Sequence, residues 1–218
     1  MCRFVAVLSM KDIDLEPHLD FLKYQAKNGK RAPHKDGFGY WILSENGEHY
    51  YRSTIPAWEH AGSLPKGSVA FFHARKRGLH GAPVSILNVH PFIKNGAVFM
   101  HNGLLKIDRH PMALGDTDTE SFFLKILEEG IDNTLKSLEK KSYTSLNFVM
   151  WDRARLIIFR AAKRLKNYFT IFIKKEESRI IISTEGDESW REIKNGEMII
   201  IQRDLSFETR CIFQDMCH

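Results

Sequence analysis

The sequence is poor in cysteine, with only Cys2, Cys211 and Cys217 among its 218 residues. An odd number of cysteines without a C-x-x-C pair argues against a disulfide framework, a zinc ribbon and a thioredoxin-type redox site. We therefore expect Cys211 and Cys217 to be ordinary thiols, and no metal site built on cysteine.

Long apolar runs are also absent, because the longest, such as AVFM and MIII, are far too short to span a bilayer. The N-terminus shows no basic region followed by an apolar stretch and a small-residue cleavage site. The sequence thus predicts no signal peptide and no membrane association, with the cytoplasm as the location. No linker or repeat divides the chain, so we expect residues 1–218 to form a single domain.

The charge is moderately basic, with a formal net charge of +5. Basic segments at Ala74–Arg77 and Lys163–Asn167 permit a polyanion- or nucleic-acid-binding module as an alternative function. Such a module needs exposed aromatic residues beside its cations. Because Phe169 and Phe172 lie in a strand-like segment, we expect them in the core, and the basic segments are better interpreted as solvated loops. Nucleic acid is therefore not the expected partner.

Hydrophobic periodicity predicts an α+β protein. Leu15–Lys27 is predicted to be a helix with one apolar side, and Thr117–Glu129 a second, because Thr117 and Glu120 match a capping box. Asp132–Lys141 is predicted to be a further helical piece. The predicted strands are Cys2–Ser9, Gly37–Leu43, His49–Arg52, Ser68–His73, Ala97–His101, Leu146–Trp151, Leu156–Arg160, Tyr168–Ile173, Arg179–Ser183, Met198–Gln202 and Phe207–Phe213.

Several of these strands are too apolar for a sheet with one wet face. Two mainly antiparallel sheets stacked face to face, with helices outside them, would bury such strands. The sequence therefore predicts a four-layer αββα sandwich.

Cys2 stands at the start of the first predicted strand. If Met1 is removed, this residue carries both a thiol and a free α-amine, whose ordinary pKa of about 7.7–8.0 suits a base near neutral pH. A nucleophilic cysteine needs such a base, because its thiol is mostly protonated at neutral pH. The alternative is a plain buried cysteine, which is common in a first strand.

Four further segments accompany Cys2 in a fixed order: HKDGFG (His34–Gly39), HARKRG (His73–Gly78), NVHPF through FMHNGLL (Asn88–Leu105) and GDTDTES (Gly115–Ser121). Together with the N-terminal MC, they resemble the class II glutamine amidotransferase domain of the N-terminal-nucleophile (Ntn) hydrolase family. HKDGFG is most similar to the single-domain branch of that family. A weaker resemblance continues through IISTEGDESWREIKNGEMIII, residues 181–201.

The resemblance implies a mechanism in which Cys2 attacks the side-chain amide of glutamine, or of another γ-glutamyl compound, to form a thioester. Asn102 and Gly103 would then supply the side-chain and backbone N–H donors for the developing oxyanion. The alternative for this pair is an Asn-Gly hairpin turn. No metal or organic cofactor is expected for this step.

The resemblance also assigns the ends of the substrate. Arg75 would grip the α-carboxylate with two parallel hydrogen bonds, and Asp118 would accept from the α-ammonium group. The alternatives are a surface ion pair for Arg75 and helix capping for Asp118, of which the second is compatible with a pocket role. His73, His90 and His101 are expected in the pocket wall or as core histidines rather than as metal ligands.

One segment departs from the family pattern. The larger synthases carry a tryptophan and a hydroxyl residue after the arginine, whereas this chain has Lys76, Arg77 and Gly78. Two extra cations could tighten the grip on a carboxylate or recognise a longer acidic substrate, which puts glutamine itself in question as the donor. Gly78 and Gly81 suggest a movable stretch by composition.

The part of the chain after the second helix is long enough to complete the two-sheet fold and no more. The resemblance therefore leaves two arrangements open: a separate subunit that accepts ammonia, or a free-standing amidohydrolase that releases glutamate. A catalytically dead paralogue of the same fold is a third alternative. We expect His34, Lys35 and Asp36 to lie near Cys2.

Overall fold

The computed structural model describes residues 2–29, 32–78 and 81–217. Within these residues the chain forms three α-helices, α1 (Glu16–Lys27), α2 (Asp118–Glu129) and α3 (Ile131–Leu138). The strands of the same described residues are β1 (Arg3–Ile13), β2 (Phe38–Ser44), β3 (Gly47–Ser53), β4 (Gly67–Ala74), β5 (Phe92–Lys94), β6 (Ala97–Asn102), β7 (Asn147–Trp151), β8 (Leu156–Phe159), β9 (Phe172–Lys175), β10 (Arg179–Ser183), β11 (Arg191–Glu192), β12 (Glu197–Ile201) and β13 (Phe207–Cys211).

The strands form two sheets. The first has seven strands in the order β11-β9-β10-β1-β4-β2-β3, and the second has six in the order β13-β12-β8-β7-β6-β5. Every strand pair described is antiparallel. β1 lies between β10 and β4, so the first strand of the chain occupies the middle of this sheet.

Three apolar clusters separate four layers. The central cluster joins side chains of both sheets, such as Phe4 and Phe71 from the first and Met100 and Ile158 from the second. A second cluster packs α1 on the outer face of the first sheet. The third packs α2 and α3 on the outer face of the second sheet. Both faces of each sheet are thus buried, which explains strands that are apolar on two sides and confirms the predicted αββα sandwich.

Most predicted elements are present with ends shifted by one or two residues, but the strand predicted at Tyr168–Ile173 is wrong in its bounds, since β9 begins only at Phe172. The carbonyl oxygen of Phe169 accepts hydrogen bonds from the side chains of Asn147 and Arg160. These two donors take the place of a neighbouring strand. Phe169 is nevertheless fully buried, as expected, while Phe172 is half-buried.

The start of α2 is capped from two sides. Thr117 is the N-cap residue, and its hydroxyl accepts from the N–H of Glu120 at 3.1 Å. The Glu120 carboxylate does not complete a reciprocal capping box. It accepts instead from the N–H groups of Leu114 and Gly115, at 3.1 and 2.7 Å. The glutamate therefore ties the preceding loop to the helix, and that loop is part of the site described below.

The expectation for the C-terminal cysteines is wrong, because Cys211 and Cys217 form a disulfide bond. Their Cα atoms are 6.2 Å apart, which is within the range that a disulfide spans. The bond closes a small loop around Phe213, whose ring is buried against Phe159. Cys2 is the free cysteine of the chain. Among the described residues no helix is long and apolar enough to cross a membrane.

Candidate active site

The site lies where an end of the first sheet meets an end of the second. Cys2 precedes β1 in the first sheet, and Asn102 is the last residue of β6 in the second. The backbone N–H of Cys2 donates to Oδ1 of Asn102 at 2.8 Å. Both residues are buried, although 7% of the surface of Cys2 remains accessible. One hydrogen bond thus joins the two sheets at the proposed nucleophile.

A cavity of about 230 Å³ opens at this junction. Its wall contains Cys2, Arg75, His90, Gly103 and Asp118, which are five of the seven site residues predicted from the sequence. The other two, Asn102 and His73, lie directly behind the wall, in contact with Cys2 and His90 respectively. Further lining residues are Lys76, Arg77, His101, Leu104, Asp116 and Thr119.

Asn102 has one satisfied and one unsatisfied polar atom. Its Oδ1 accepts from Cys2, whereas Nδ2 is buried with no hydrogen-bond partner among the described residues. A buried donor without a partner is costly unless a ligand or water completes it. The side-chain amide is therefore held beside Cys2 with its donor end available to an incoming acceptor.

Gly103 owes its identity to close packing rather than to a turn. A Cβ atom at this position would collide with the carbonyl oxygen of Ser145 and would lie 2.8 Å from Nε2 of His101. Its backbone torsions are not in the left-handed region, which the hairpin interpretation of Asn-Gly would favour. Glycine is thus required here because Ser145, just before β7, packs directly against this backbone, and residue 103 forms part of the cavity wall.

Arg75 follows β4 and is buried. Its guanidinium donates to the carbonyl oxygen of Ala82 at 2.6 Å and to that of Pro83 at 3.1 Å. Burial lowers the pKa of Arg75 below the usual arginine value, while Cys2, Asp36 and Asp118 act in the opposite direction. Arg75 is therefore no surface ion pair. It is a buried cation in the cavity wall that two carbonyl groups orient.

Asp118 is the first residue of α2. Its Oδ1 accepts from the N–H of Thr119 and its Oδ2 from the N–H of Leu105, both at 2.8 Å. The carboxylate thus lies at the positive end of the helix and also lines the cavity. Helix capping and a place in the pocket coexist, as the sequence allowed.

The histidines form a buried, uncharged group in the cavity wall, with His90 and His101, and directly behind it, with His73. The rings of His73 and His90 stack with centroids 4.0 Å apart. Burial lowers the pKa of His73 to about 3, and burial and the neighbouring His73 lower that of His90 well below its usual value. Burial also lowers the pKa of His101, whose ring bonds to the hydroxyl of Thr119 and the carbonyl of Ser145 at 3.0 Å each. Among the described residues no group of His, Cys, Asp or Glu is arranged to hold a metal ion.

The HKDG segment supports the site from behind. The Asp36 carboxylate accepts from the N–H of Arg77 at 2.8 Å, and the N–H of Asp36 donates to the carbonyl of Arg75 at 3.0 Å. Asp36 therefore holds the backbone on either side of Lys76. His34 is fully buried outside the cavity wall, and Lys35 is exposed.

Two supporting groups were not singled out from the sequence. Arg3, buried next to Cys2, donates to the carbonyl of Cys2 at 3.3 Å and forms an ion pair with Glu185 at 2.6 Å. The sequence did contain a signal for Arg3, because it is an arginine inside an otherwise apolar strand, and a buried arginine usually has a charged partner. Asn88, fully buried, bonds to two loops of the cavity rim.

A larger cavity, of about 730 Å³, lies elsewhere, between α2, α3 and the segment that begins at Lys106. It does not contain Cys2 or the other predicted site residues. The basic segment Lys163–Asn167 is partly structural, because the Lys163 amine donates to the carbonyls of Glu139 and Lys141. Together with the burial of Phe169, this weakens the case for a polyanion-binding face.

Comparison with solved structures shows the fold. The chain matches glutamine phosphoribosylpyrophosphate amidotransferase from B. subtilis with a TM-score of 0.71 and 17% identity, over 99% of this chain but only 50% of that one. It matches a glutamine aminotransferase class-II domain protein from Silicibacter pomeroyi with a TM-score of 0.67 and 18% identity, over 97% of this chain and 99% of the other. A protein described as a predicted glutamine amidotransferase from Pseudomonas aeruginosa matches with a TM-score of 0.53 and 17% identity, over 95% and 94% of the two chains.

The chain thus shares its two-sheet sandwich fold with these solved structures. It spans about half the length of the phosphoribosylpyrophosphate enzyme and nearly all of the Silicibacter protein. No protein-family model matches the sequence, and a search of curated proteins by sequence found no match.

Proposed function

We propose that this protein is a class II glutamine amidotransferase domain that hydrolyses the side-chain amide of glutamine, or of another γ-glutamyl compound, with Cys2 as the nucleophile. The observation that carries the proposal is the pairing of Cys2 with Asn102 in a cavity that also presents Arg75 and Asp118. A nucleophile, a buried unpaired donor, a cation and an anion are the groups that such a reaction requires.

Removal of Met1 would convert the backbone N–H of Cys2 into an α-amine. This amine would take the proton of the thiol as Sγ attacks the amide carbon, and would then deliver it to the departing nitrogen. The carbon–nitrogen bond breaks, ammonia or an amine leaves, and a thioester joins the γ-glutamyl group to Cys2. Water then attacks the thioester and releases glutamate and the free thiol.

Attack on the amide places negative charge on its oxygen. Nδ2 of Asn102, which lacks a partner among the described residues, and the N–H of Gly103 are the donors proposed for this charge. The bond from Cys2 to Oδ1 turns the other end of the Asn102 amide away from the Cys2 backbone, and so presents its donor without a further rearrangement.

Recognition of the donor substrate follows from charge. Arg75 would bind the α-carboxylate and Asp118 the α-ammonium group, with His90 in the wall and His73 stacked behind it. Lys76 and Arg77 also line the cavity and leave it with more positive than negative side chains. This excess favours donors that carry an additional acidic group, so the proposal includes γ-glutamyl compounds beside glutamine.

The side chains near the cavity are relevant to whether a partner subunit binds there. The segments on either side of it carry exposed apolar side chains, including Val84, Leu104, Met112 and Leu114, of which Leu114 is 75% exposed. Exposed apolar residues around one site are typical of contact surfaces. A separate ammonia-accepting subunit and a free-standing amidohydrolase are both consistent with the proposed reaction.

The test is the intact mass of the protein before and after incubation with a glutamine-mimicking diazo-ketone. We expect a starting mass without Met1 and then a single adduct on Cys2, with none on a Cys2→Ala variant that folds normally. Turnover of glutamine or γ-glutamyl amides should be lost in the same variant. Retention of wild-type activity by Cys2→Ala would refute the proposal, and a processed protein without adduct or turnover would indicate a dead paralogue.

A further inference from the structure

We propose that Asn88 is a positioning residue that sets the distance between Arg75 and Asp118, and thereby selects donors with a complete amino-acid end. This inference rests on the proposed function. It concerns a residue that touches neither the nucleophile nor the cavity surface, and acts through the two loops that carry the binding groups.

Asn88 joins the two loops through the two ends of its side-chain amide. Nδ2 donates to the carbonyl of Pro83 at 3.1 Å, and Oδ1 accepts from the N–H of Asp116 at 2.8 Å. The side chain is fully buried. Both polar atoms are satisfied only if the two loops keep this spacing, so the amide acts as a spacer of fixed length between them.

The first loop orients Arg75. Nη1 of Arg75 donates to the same Pro83 carbonyl that Asn88 holds, at 3.1 Å, and Nη2 donates to the carbonyl of Ala82. A guanidinium presents its remaining N–H groups in a fixed fork, so the two carbonyls determine where that fork points. A shift of the first loop would therefore carry the proposed carboxylate clamp with it and change its distance from the second loop.

The second loop leads into Asp118. Asp116, which Asn88 holds, lies two residues before it, and the N–H groups of Leu114 and Gly115 are fixed by Glu120. A Cβ atom at Gly115 would lie 2.5 Å from Oδ1 of Asn88, so the loop packs directly on the asparagine. The start of α2, and with it the proposed ammonium acceptor, is thereby placed relative to Asn88.

Loss of the spacer should weaken recognition of the α-carboxylate and α-ammonium groups together, because only a donor with both groups spans the two loops. Three amides separate this effect from general damage. Glutamine has both groups, glutaramate lacks the α-ammonium group, and 4-aminobutanamide lacks the α-carboxylate. A donor that reaches only one loop gains nothing from their spacing.

The experiment measures KM and kcat for the three amides with wild type, Asn88→Ala and Asn88→Asp. The aspartate keeps the acceptor for Asp116 but loses the donor to Pro83, and gives a second variant should the alanine fold poorly. The control is Asn195→Ala, because the Asn195 amide also bonds in both directions to main chain, at Ala162, but far from the cavity.

We expect KM for glutamine to rise by about 10-fold or more, as for the loss of a charge-assisted contact, with a smaller change in kcat. KM for the two truncated amides should change little, so the preference for glutamine falls by a similar factor. The rate of Cys2 alkylation by iodoacetamide, which has no amino-acid end, should match wild type. The control should retain the preference.

Equal increases in KM for all three amides, or an unchanged preference for glutamine, would overturn the positioning role and leave the proposed function intact. If turnover is slow, calorimetry gives the same comparison. It would measure the binding of glutamate and of glutarate to Cys2→Ala and to the double variant Cys2→Ala with Asn88→Ala. A wild-type protein that neither turns over the amides nor binds glutamate would refute the proposed function, and the inference about Asn88 with it.

Discussion

The N–H of Cys2 donates to Oδ1 of Asn102 across a separation of 100 residues and from one sheet to the other. Oδ1 is thereby occupied, and Nδ2 is left buried without a partner among the described residues. The bond orients a buried donor next to Cys2, as the proposed oxyanion role of Asn102 requires, since oxyanion stabilisation depends on donors that are already in position.

Substitution of Asn102 tests this arrangement directly. Asn102→Asp keeps the size and the acceptor for Cys2 but loses the Nδ2 donor, and Asn102→Ala loses both. We expect kcat to fall by about 10²–10³ in each, as for removal of one of two oxyanion donors. Steady-state kinetics would measure this fall in kcat, with the amount of diazo-ketone adduct used to count the active sites. A drop in KM alone would exclude the oxyanion role.

Arg75→Lys tests the carboxylate clamp. A lysine keeps the charge but has one nitrogen, so it cannot bond to Ala82, Pro83 and a substrate carboxylate in the same geometry. Because a hydrogen bond to a charged group contributes about 1.5–3 kcal/mol, KM for glutamine should rise roughly 10- to 100-fold. The matched control is Arg160→Lys, since the buried Arg160 also donates to main-chain carbonyls, including those of Phe169 and Lys166, but outside the cavity wall. A fall in kcat with unchanged KM would contradict the clamp.

Prediction from the sequence was most successful for features that a single segment determines by its own residue pattern. The apolar strands predicted two buried sheets, and Cys2 with the HNG and GDTDTES segments marked the residues that line one cavity. The supporting contacts could not be predicted, because Arg3 with Glu185 and Asn88 with Pro83 and Asp116 depend on how distant loops meet. Pattern and spacing can mark a polar residue as unusual, but they do not show which distant groups its side chain contacts.

The disulfide between Cys211 and Cys217 shows the same limit of prediction from the sequence. A count of three argued against disulfides, yet pairing depends on the distance between two backbones. That distance is set by the turn after β13, which buries Phe213 between Cys211 and Cys217. Composition predicts whether a disulfide framework dominates a fold, and does not exclude one local bond.

The buried histidines predict how stability depends on pH. Burial lowers the pKa of His34 and His73 to about 3, whereas an unfolded histidine titrates near 6.5. Between these values the unfolded chain binds more protons than the folded one, so stability is complete above about pH 6.5 and falls as the pH decreases. The expected slope is about 1.4 kcal/mol per pH unit for each histidine.

Urea unfolding at pH 7, 6 and 5 measures this slope. His34→Gln is the informative variant, because both ring nitrogens of His34 are buried without partners among the described residues and the ring lies outside the cavity wall. The variant should lose stability at pH 7 and show a shallower decrease below pH 6. A free energy of unfolding that stays constant from pH 7 to 5 in the wild type would contradict the buried neutral state.

The disulfide gives the last prediction. Cys211 and Cys217 are separated by six positions, and closing a loop of this size removes conformational entropy worth about 2 kcal/mol from the unfolded chain. Alkylation of the denatured, unreduced protein should modify Cys2 only, and prior reduction should expose three thiols. The double variant Cys211→Ser with Cys217→Ser should unfold at a lower urea concentration, and reduction should shift the wild type but not the variant. Because the bond lies at the second sheet, away from the cavity, the double variant should keep its activity below the unfolding transition. Alkylation of three thiols without prior reduction would show that the bond is not formed.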